Sequence, residues 1–132
     1  AWNDRLPNIN AALGSSQIEK LNFKLKLKRI LHTEFCKSFQ DVENVEIIKE
    51  MKDCQSNYWL ITMRLNGNNV EKLRDQVLYE AHKSKINLRP SWELLNQLPM
   101  YRKSICGDLS EAINQSKRLI NLPSSPQLLI NL

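Results

Sequence analysis

Tyr58-Trp59-Leu60-Ile61-Thr62-Met63-Arg64-Leu65, followed by Asn66-Gly67-Asn68-Asn69, is the stretch whose reading decides the fold. Its aromatic and branched residues predict the clearest strand of the chain, and the Asn/Gly run predicts a turn. Asn68 and Glu71 have capping-box spacing, which predicts a helix start. Val70, Leu73, Val77, Leu78 and Ala81 then fall on one face of that helix. Ile86 and Leu88 predict a short third strand ending at Pro90. Strand, helix and strand in this order suggest a crossover unit, right-handed if the two strands run parallel in one sheet.

Towards the N-terminus, Val45–Met51 reads as a first strand, joined to the second by a loop at Lys52–Asn57. Leu21, Phe23, Leu25 and Leu27 alternate with polar residues as a strand would, yet Phe23, Leu27, Ile30, Leu31 and Phe35 also sit at helical offsets. The pattern continues through Phe39 without a turn residue, and strands rarely exceed about ten residues, so length favours a helix. Residues 1–7 read as an extended entry, with Pro7 fitting a helix start and Asn8 offering a polar side chain to the first free amides. The segment Ile9–Glu19 is rich in small residues (Ala11, Ala12, Gly14, Ser15, Ser16) and cannot fill a core alone. Beyond an irregular Arg89–Gly107, Asp108 with Glu111 predicts a capped last helix carrying Leu109, Ala112, Ile113, Leu119 and Ile120, ended by Pro123 and Pro126. The order α-α-β-β-α-β-α argues for a small α+β sandwich with helices over one face of a short sheet.

Composition narrows the function classes. The 132 residues suit one domain, and 42% apolar with 25% charged residues fits an ordinary globular one. No apolar run approaches the ~18 residues of a membrane span and no signal peptide opens the chain, so the cytosol is the default. Cys36, Cys54 and Cys106 are an odd, scattered set that suits a reducing compartment. His32 and Cys36 stand one helical turn apart without a second ligand pair, so no metal site is expected. Much of the +5 net charge sits in Lys20, Lys24, Lys26, Lys28 and Arg29, a face that could meet phosphates but is more often simply solvated. Neither His32 nor His82 has a triad-type neighbour, and the three glycines make no phosphate loop, so no catalytic residue is assigned. His82, in a last helical turn, suits the carbonyl end of the helix dipole. Asn3 and Arg5 alternate along an extended run, so both can point to one side, an amide and a guanidinium that suit a phosphate dianion.

Four motifs carry a resemblance. Trp2-Asn3-Asp4-Arg5-Leu6 leads into Asn10-Ala11-Ala12-Leu13-Gly14 with Gln17-Ile18-Glu19; Gln55-Ser56-Asn57-Tyr58-Trp59-Leu60 follows. Then come Arg89-Pro90-Ser91-Trp92, with Asn96 and Pro99-Met100-Tyr101, and finally Arg118-Leu119-Ile120-Asn121-Leu122-Pro123-Ser124-Ser125. In this order they resemble the C-terminal, small domain of the pyridoxal-phosphate-dependent sugar aminotransferases of the DegT/DnrJ/EryC1/StrS family, nearest the branch making bacillosamine, legionaminic acid and perosamine-type sugars. Trp2 and Asp4 stand where the family more often has Tyr, and Asn96 where that branch has His. An amide can hydrogen-bond a sugar hydroxyl but cannot titrate near neutral pH.

The resemblance implies a short, mostly antiparallel sheet packed against helices, as in a fold-type I aminotransferase. It implies that Asn3 and Arg5 reach the cofactor phosphate of the other subunit in a homodimer. Arg89, Trp92 and Asn96 would line the mouth that takes a nucleotide sugar. The Arg118–Ser125 motif would be a short strand returning to the sheet. The reaction implied is amino transfer, usually from glutamate, to a nucleotide-linked keto-deoxysugar in surface-polysaccharide or amino-sugar biosynthesis. The Schiff-base lysine belongs upstream, in a large N-terminal domain, so residues 1–20 would join to that domain, 21–132 would form the small one, and this fragment alone would be inactive without bound cofactor. A partner membrane or nucleic acid is not expected. Two alternatives stand beside this: a non-catalytic binding module of the same fold, and a basic nucleic-acid module using Lys20–Arg29.

Overall fold

The computed structural model describes residues 5–129. Helices α1 (Asn8–Glu19) and α2 (Leu21–Ser38) precede strands β1 (Val45–Ile47) and β2 (Ile61–Leu65), then helix α3 (Val70–Lys83), strand β3 (Arg89–Pro90), helix α4 (Ser110–Ser116) and strand β4 (Leu119–Leu122). The strands form one sheet in the order β1-β2-β4-β3, every neighbouring pair antiparallel. It is the small α+β arrangement expected, with helices against an antiparallel sheet.

Alternation along the central strands explains the layering. Ile61, Met63 and Leu65 of β2 are buried, and they pair with or flank Ile120 and Leu122 of β4. Ile47 joins them from β1, Leu31 from α2 and Val70 from α3, with Phe35, Phe39, Val77, Leu78 and Ala81 packed around. Period-2 strands meet period-3.6 helices on one face of the sheet only. The other face carries Glu46, Thr62, Arg64 and Asn121, which join in an Arg64–Glu46 ion pair and a Thr62 hydroxyl donating to Asn121 Oδ1 at 3.0 Å.

Several local expectations are corrected. Leu119 and Ile120 do not extend the last helix: α4 stops at Ser116, and they begin β4, the strand that the Arg118–Ser125 motif implies. Ile120 is the most buried large side chain, at 0% exposure. A local apolar pattern cannot show that this strand inserts between β2 and β3. Those two are therefore parallel but not adjacent, so the crossover spans β4. The third strand ends at Pro90 as expected but begins only at Arg89, because Lys85 takes a left-handed turn and Leu88 goes into the core. The first strand closes at Ile47, with one more ladder bond from Ile48 N–H to the Thr62 carbonyl at 2.9 Å. The second begins only at Ile61, since Tyr58 is left-handed at φ 45°.

Helix starts also differ. Asn69, left-handed at φ 54°, rather than Asn68, sits at the α3 boundary without a side-chain cap, so the capping box does not form. Asn is among the few residues that tolerate that conformation. Pro7 occupies the α1 boundary and Asn8 makes no cap bond. Asp108 does accept from the Ser110 N–H and hydroxyl, at 2.9 and 3.0 Å, which holds its carboxyl below the usual range. Glu111 turns forward to Gln115 instead of back to Asp108.

Candidate functional site

The loop entering β2 is held from all sides, and that restraint starts with α2. Lys28 donates its ammonium to the Tyr58 carbonyl at 3.2 Å and to the Ser124 carbonyl at 2.7 Å, with burial lowering its pKa. Arg29 forks onto Glu50 at 3.1 and 3.2 Å and reaches the Ser56 carbonyl at 2.8 Å. Glu50 also accepts the Ser56 N–H at 2.7 Å, and the Arg29 guanidinium first and this amide second hold its carboxyl below the usual range. The Tyr58 ring is stacked on His32 at 4.0 Å, with Arg29 5.5 Å above it. His32 is a buried structural residue: its Nε2 donates to the Ile48 carbonyl at 3.0 Å. The proton sits on Nε2 because a carbonyl can only accept.

This scaffold presents Trp59. Ser56 and Asn57 side chains accept the next-but-one amides, Tyr58 N–H at 3.0 Å and Trp59 N–H at 2.9 Å, as polar turn residues do. The Ser124 hydroxyl donates to the Trp59 carbonyl at 2.6 Å. The backbone is thus fixed while the indole stays 65% exposed. Its neighbour is Trp92, 72% exposed, with ring centroids 6.1 Å apart and tilted by 44°. Trp59 precedes β2 and Trp92 follows β3, so the pair reaches across β4. Arg89 opposes Asn121 in register, which opposes Thr62, giving one row across three strands of the sheet's polar face. Asn121 Nδ2 donates to the Pro90 carbonyl at 3.3 Å and pins the start of the Trp92 loop.

The expected site residues are only partly gathered. Trp92 and Arg89 belong to this row and its aromatic neighbour. Trp92 also lines a surface cavity of about 390 Å³ beside Arg74, Glu71 and Lys117. Asn96 lies in a different, mainly apolar cavity of about 440 Å³ with Leu94, Leu95, Tyr101, Ile105 and Leu109. Its Oδ1 is buried there without a hydrogen-bond partner. Arg5 stands exposed before α1, and Asn3 lies outside the described residues. His82 donates Nε2 to the Leu88 carbonyl at 2.8 Å, tying the α3 end to β3. Sequence reasoning placed Trp59 in a motif but gave it no role; the available signal was a pair of aromatics, Tyr58 and Trp59, directly after the turn-forming Ser56-Asn57.

The lysine face is not wholly free. Lys28 and Arg29 are engaged with the β2 loop, and Lys24 donates to Gln17. Among the described residues no three metal-type ligands cluster, and no helix is long and apolar enough to cross a membrane. If pyridoxal phosphate, the cofactor the resemblance implies, met these residues, the exposed Arg5 guanidinium would suit its phosphate, while the half-buried Lys28 is committed to two carbonyls. The described residues do not enclose the cofactor by themselves.

Residues 1–130 match the DegT/DnrJ/EryC1/StrS aminotransferase family. The chain is 31% identical to the GDP-perosamine synthase of Vibrio cholerae over 131 residues, 97% of this chain and 35% of that protein. Against the GDP-perosamine synthase of Escherichia coli O157:H7 the identity is 29%, covering 96% of this chain and 33% of that one. It thus spans about a third of the length of the curated relatives it matches. Its fold is similar to part of Helicobacter pylori PseC, an aminotransferase involved in the biosynthesis of pseudoaminic acid. That TM-score is 0.87 at 21% identity, over 97% of this chain and 34% of that one.

Proposed function

Since this chain belongs to the DegT/DnrJ/EryC1/StrS aminotransferase family, we propose that it is the C-terminal, small domain of a pyridoxal-phosphate-dependent sugar-nucleotide aminotransferase. The family match across residues 1–130 carries this reading. In it, an amino group passes from glutamate to the keto carbon of a nucleotide-linked deoxysugar, in a cytoplasmic homodimer serving amino-sugar or surface-polysaccharide synthesis. The cofactor, when bound, supplies the electron sink for that transfer. The names of the perosamine synthases support an amino-sugar product of the perosamine type.

Within this reading residues 1–20 join to a large domain and 21–132 form the small one. Asn3 and Arg5 bind the cofactor phosphate of the other subunit, where a guanidinium fork suits a dianion. Arg89, Trp92 and Asn96 face the sugar nucleotide. The buried, unpartnered Oδ1 of Asn96 supports a donor-seeking role, since such an atom is costly to leave unsatisfied.

The lysine that anchors the cofactor lies outside these 132 residues, so the fragment alone is inactive. Borohydride reduction in the presence of pyridoxal phosphate tests this. The purified chain should retain no covalent cofactor, whereas the whole enzyme retains it on a lysine of the large domain. A reduced cofactor peptide mapping within Ala1–Leu132 would overturn the assignment.

A further inference from the structure

We propose that Trp59 and Trp92 together form the seat for the nucleobase of a nucleoside diphosphate, with Arg89 beside them for its phosphates. This rests on the sugar-nucleotide reading and adds Trp59, a residue that reading does not use.

Three observations carry it. First, Trp59 is presented rather than merely exposed. Its neighbour Tyr58 holds a left-handed φ of 45° and is only 7% exposed, while Trp59, one residue on, is 65% exposed. Such backbone strain persists only where the surroundings over-determine it. Here Lys28, Ser56, Asn57 and Ser124 all bond the backbone of these two residues. Second, two tryptophans from loops separated by β4 meet at 6.1 Å with a 44° tilt. That leaves indole surface open to a planar ring from solvent, and base–aromatic stacking tolerates any base. Third, an exposed cation is close in the chain: Arg89 starts the strand leading to Trp92, three residues before it, in the row with Asn121 and Thr62. A guanidinium suits phosphate oxygens in fork geometry. An aromatic pair with one adjacent fork matches a base joined to a diphosphate better than it matches a bare sugar or a free phosphate.

The test uses the whole protein and follows nucleotide binding by isothermal titration calorimetry. Titration with UDP and with GDP should give a saturable binding isotherm for at least one of them. Trp59→Ala should weaken that binding about tenfold, and Trp59→Phe should largely restore it. Inorganic pyrophosphate should compete only weakly. Independently of any Trp59 substitution, the nucleotide should shield Trp59 from hydroxyl-radical oxidation, read by mass spectrometry of the peptide that carries it. The inference is overturned if neither nucleotide binds, if Trp59→Ala binds within twofold of the starting protein, or if pyrophosphate competes as well as UDP. It is equally overturned if Trp59 resists oxidation before nucleotide is added, because a neighbouring domain or second copy then covers it. Transamination by the same preparations separates the two readings. Activity with unchanged nucleotide affinity in Trp59→Ala removes this inference alone, whereas Trp59-dependent nucleotide binding without cofactor-linked activity keeps it and removes the aminotransferase reading.

Discussion

Glu50 is the residue around which the β2 entry loop is tied, and its protonation sets an acid limit on that knot. Its folded pKa lies below the usual value of 4.5, chiefly through Arg29 and then through the Ser56 amide. A depressed carboxyl stabilises the fold fully above its unfolded pKa and loses that contribution as pH falls through the folded one. Urea unfolding of the protein and Glu50→Gln should therefore differ at neutral pH, converge as the solution is acidified below about 4.5, and coincide once Glu50 is protonated in both states. A gap that is constant with pH would mean that the carboxylate charge is irrelevant. His32 works by a different route. His32→Phe keeps a ring against Tyr58 but removes the donor to the Ile48 carbonyl. Leaving that carbonyl unpaired should lower unfolding stability by about 1–3 kcal/mol, and an unchanged urea midpoint would show the bond to be idle.

Among the elements, β4 matters most, because the sheet order makes it the neighbour of both β2 and β3. Its inward residue Ile120 is fully buried between the two helices and the strands. Ile120→Ala should cost about 2–5 kcal/mol, the transfer loss plus an unfilled cavity. Leu119→Ala, on the half-exposed opposite face, should cost much less. Equal losses in thermal or urea unfolding would contradict the assignment of faces. The element also explains why one sequence expectation failed. Leu119 and Ile120 continue an apolar helical pattern from Leu109 and Ile113, and only the ladder bonds offered by β2 and β3 favour the extended form. Likewise Asn69, not Asn68, ends up at the start of α3, because the turn takes a left-handed step there.

For the whole molecule, α1 is the anomaly. None of its residues is buried, and Leu6, Ile9, Leu13 and Ile18 are all exposed. Apolar residues so placed usually meet another surface. The purified 132-residue chain should therefore bind an apolar-surface dye or self-associate, and Ile9→Ser with Leu13→Ser should abolish both. Monomeric sedimentation without dye binding would remove the case for a missing cover. By itself, the sequence determined the long helix α2, the helix α3 and the core of β2, because 3.6- and 2-residue apolar periods are local and survive without neighbours. It also carried the family motifs, since those are runs of residue types. Only the tertiary structure decided that β4 enters between β2 and β3, that Lys28 and Arg29 turn inwards to fix Tyr58, and that Trp59 meets Trp92 while Asn96 lies in a separate cavity. Those outcomes depend on groups tens of residues apart competing for the same hydrogen bonds and buried space, and no local period records that competition.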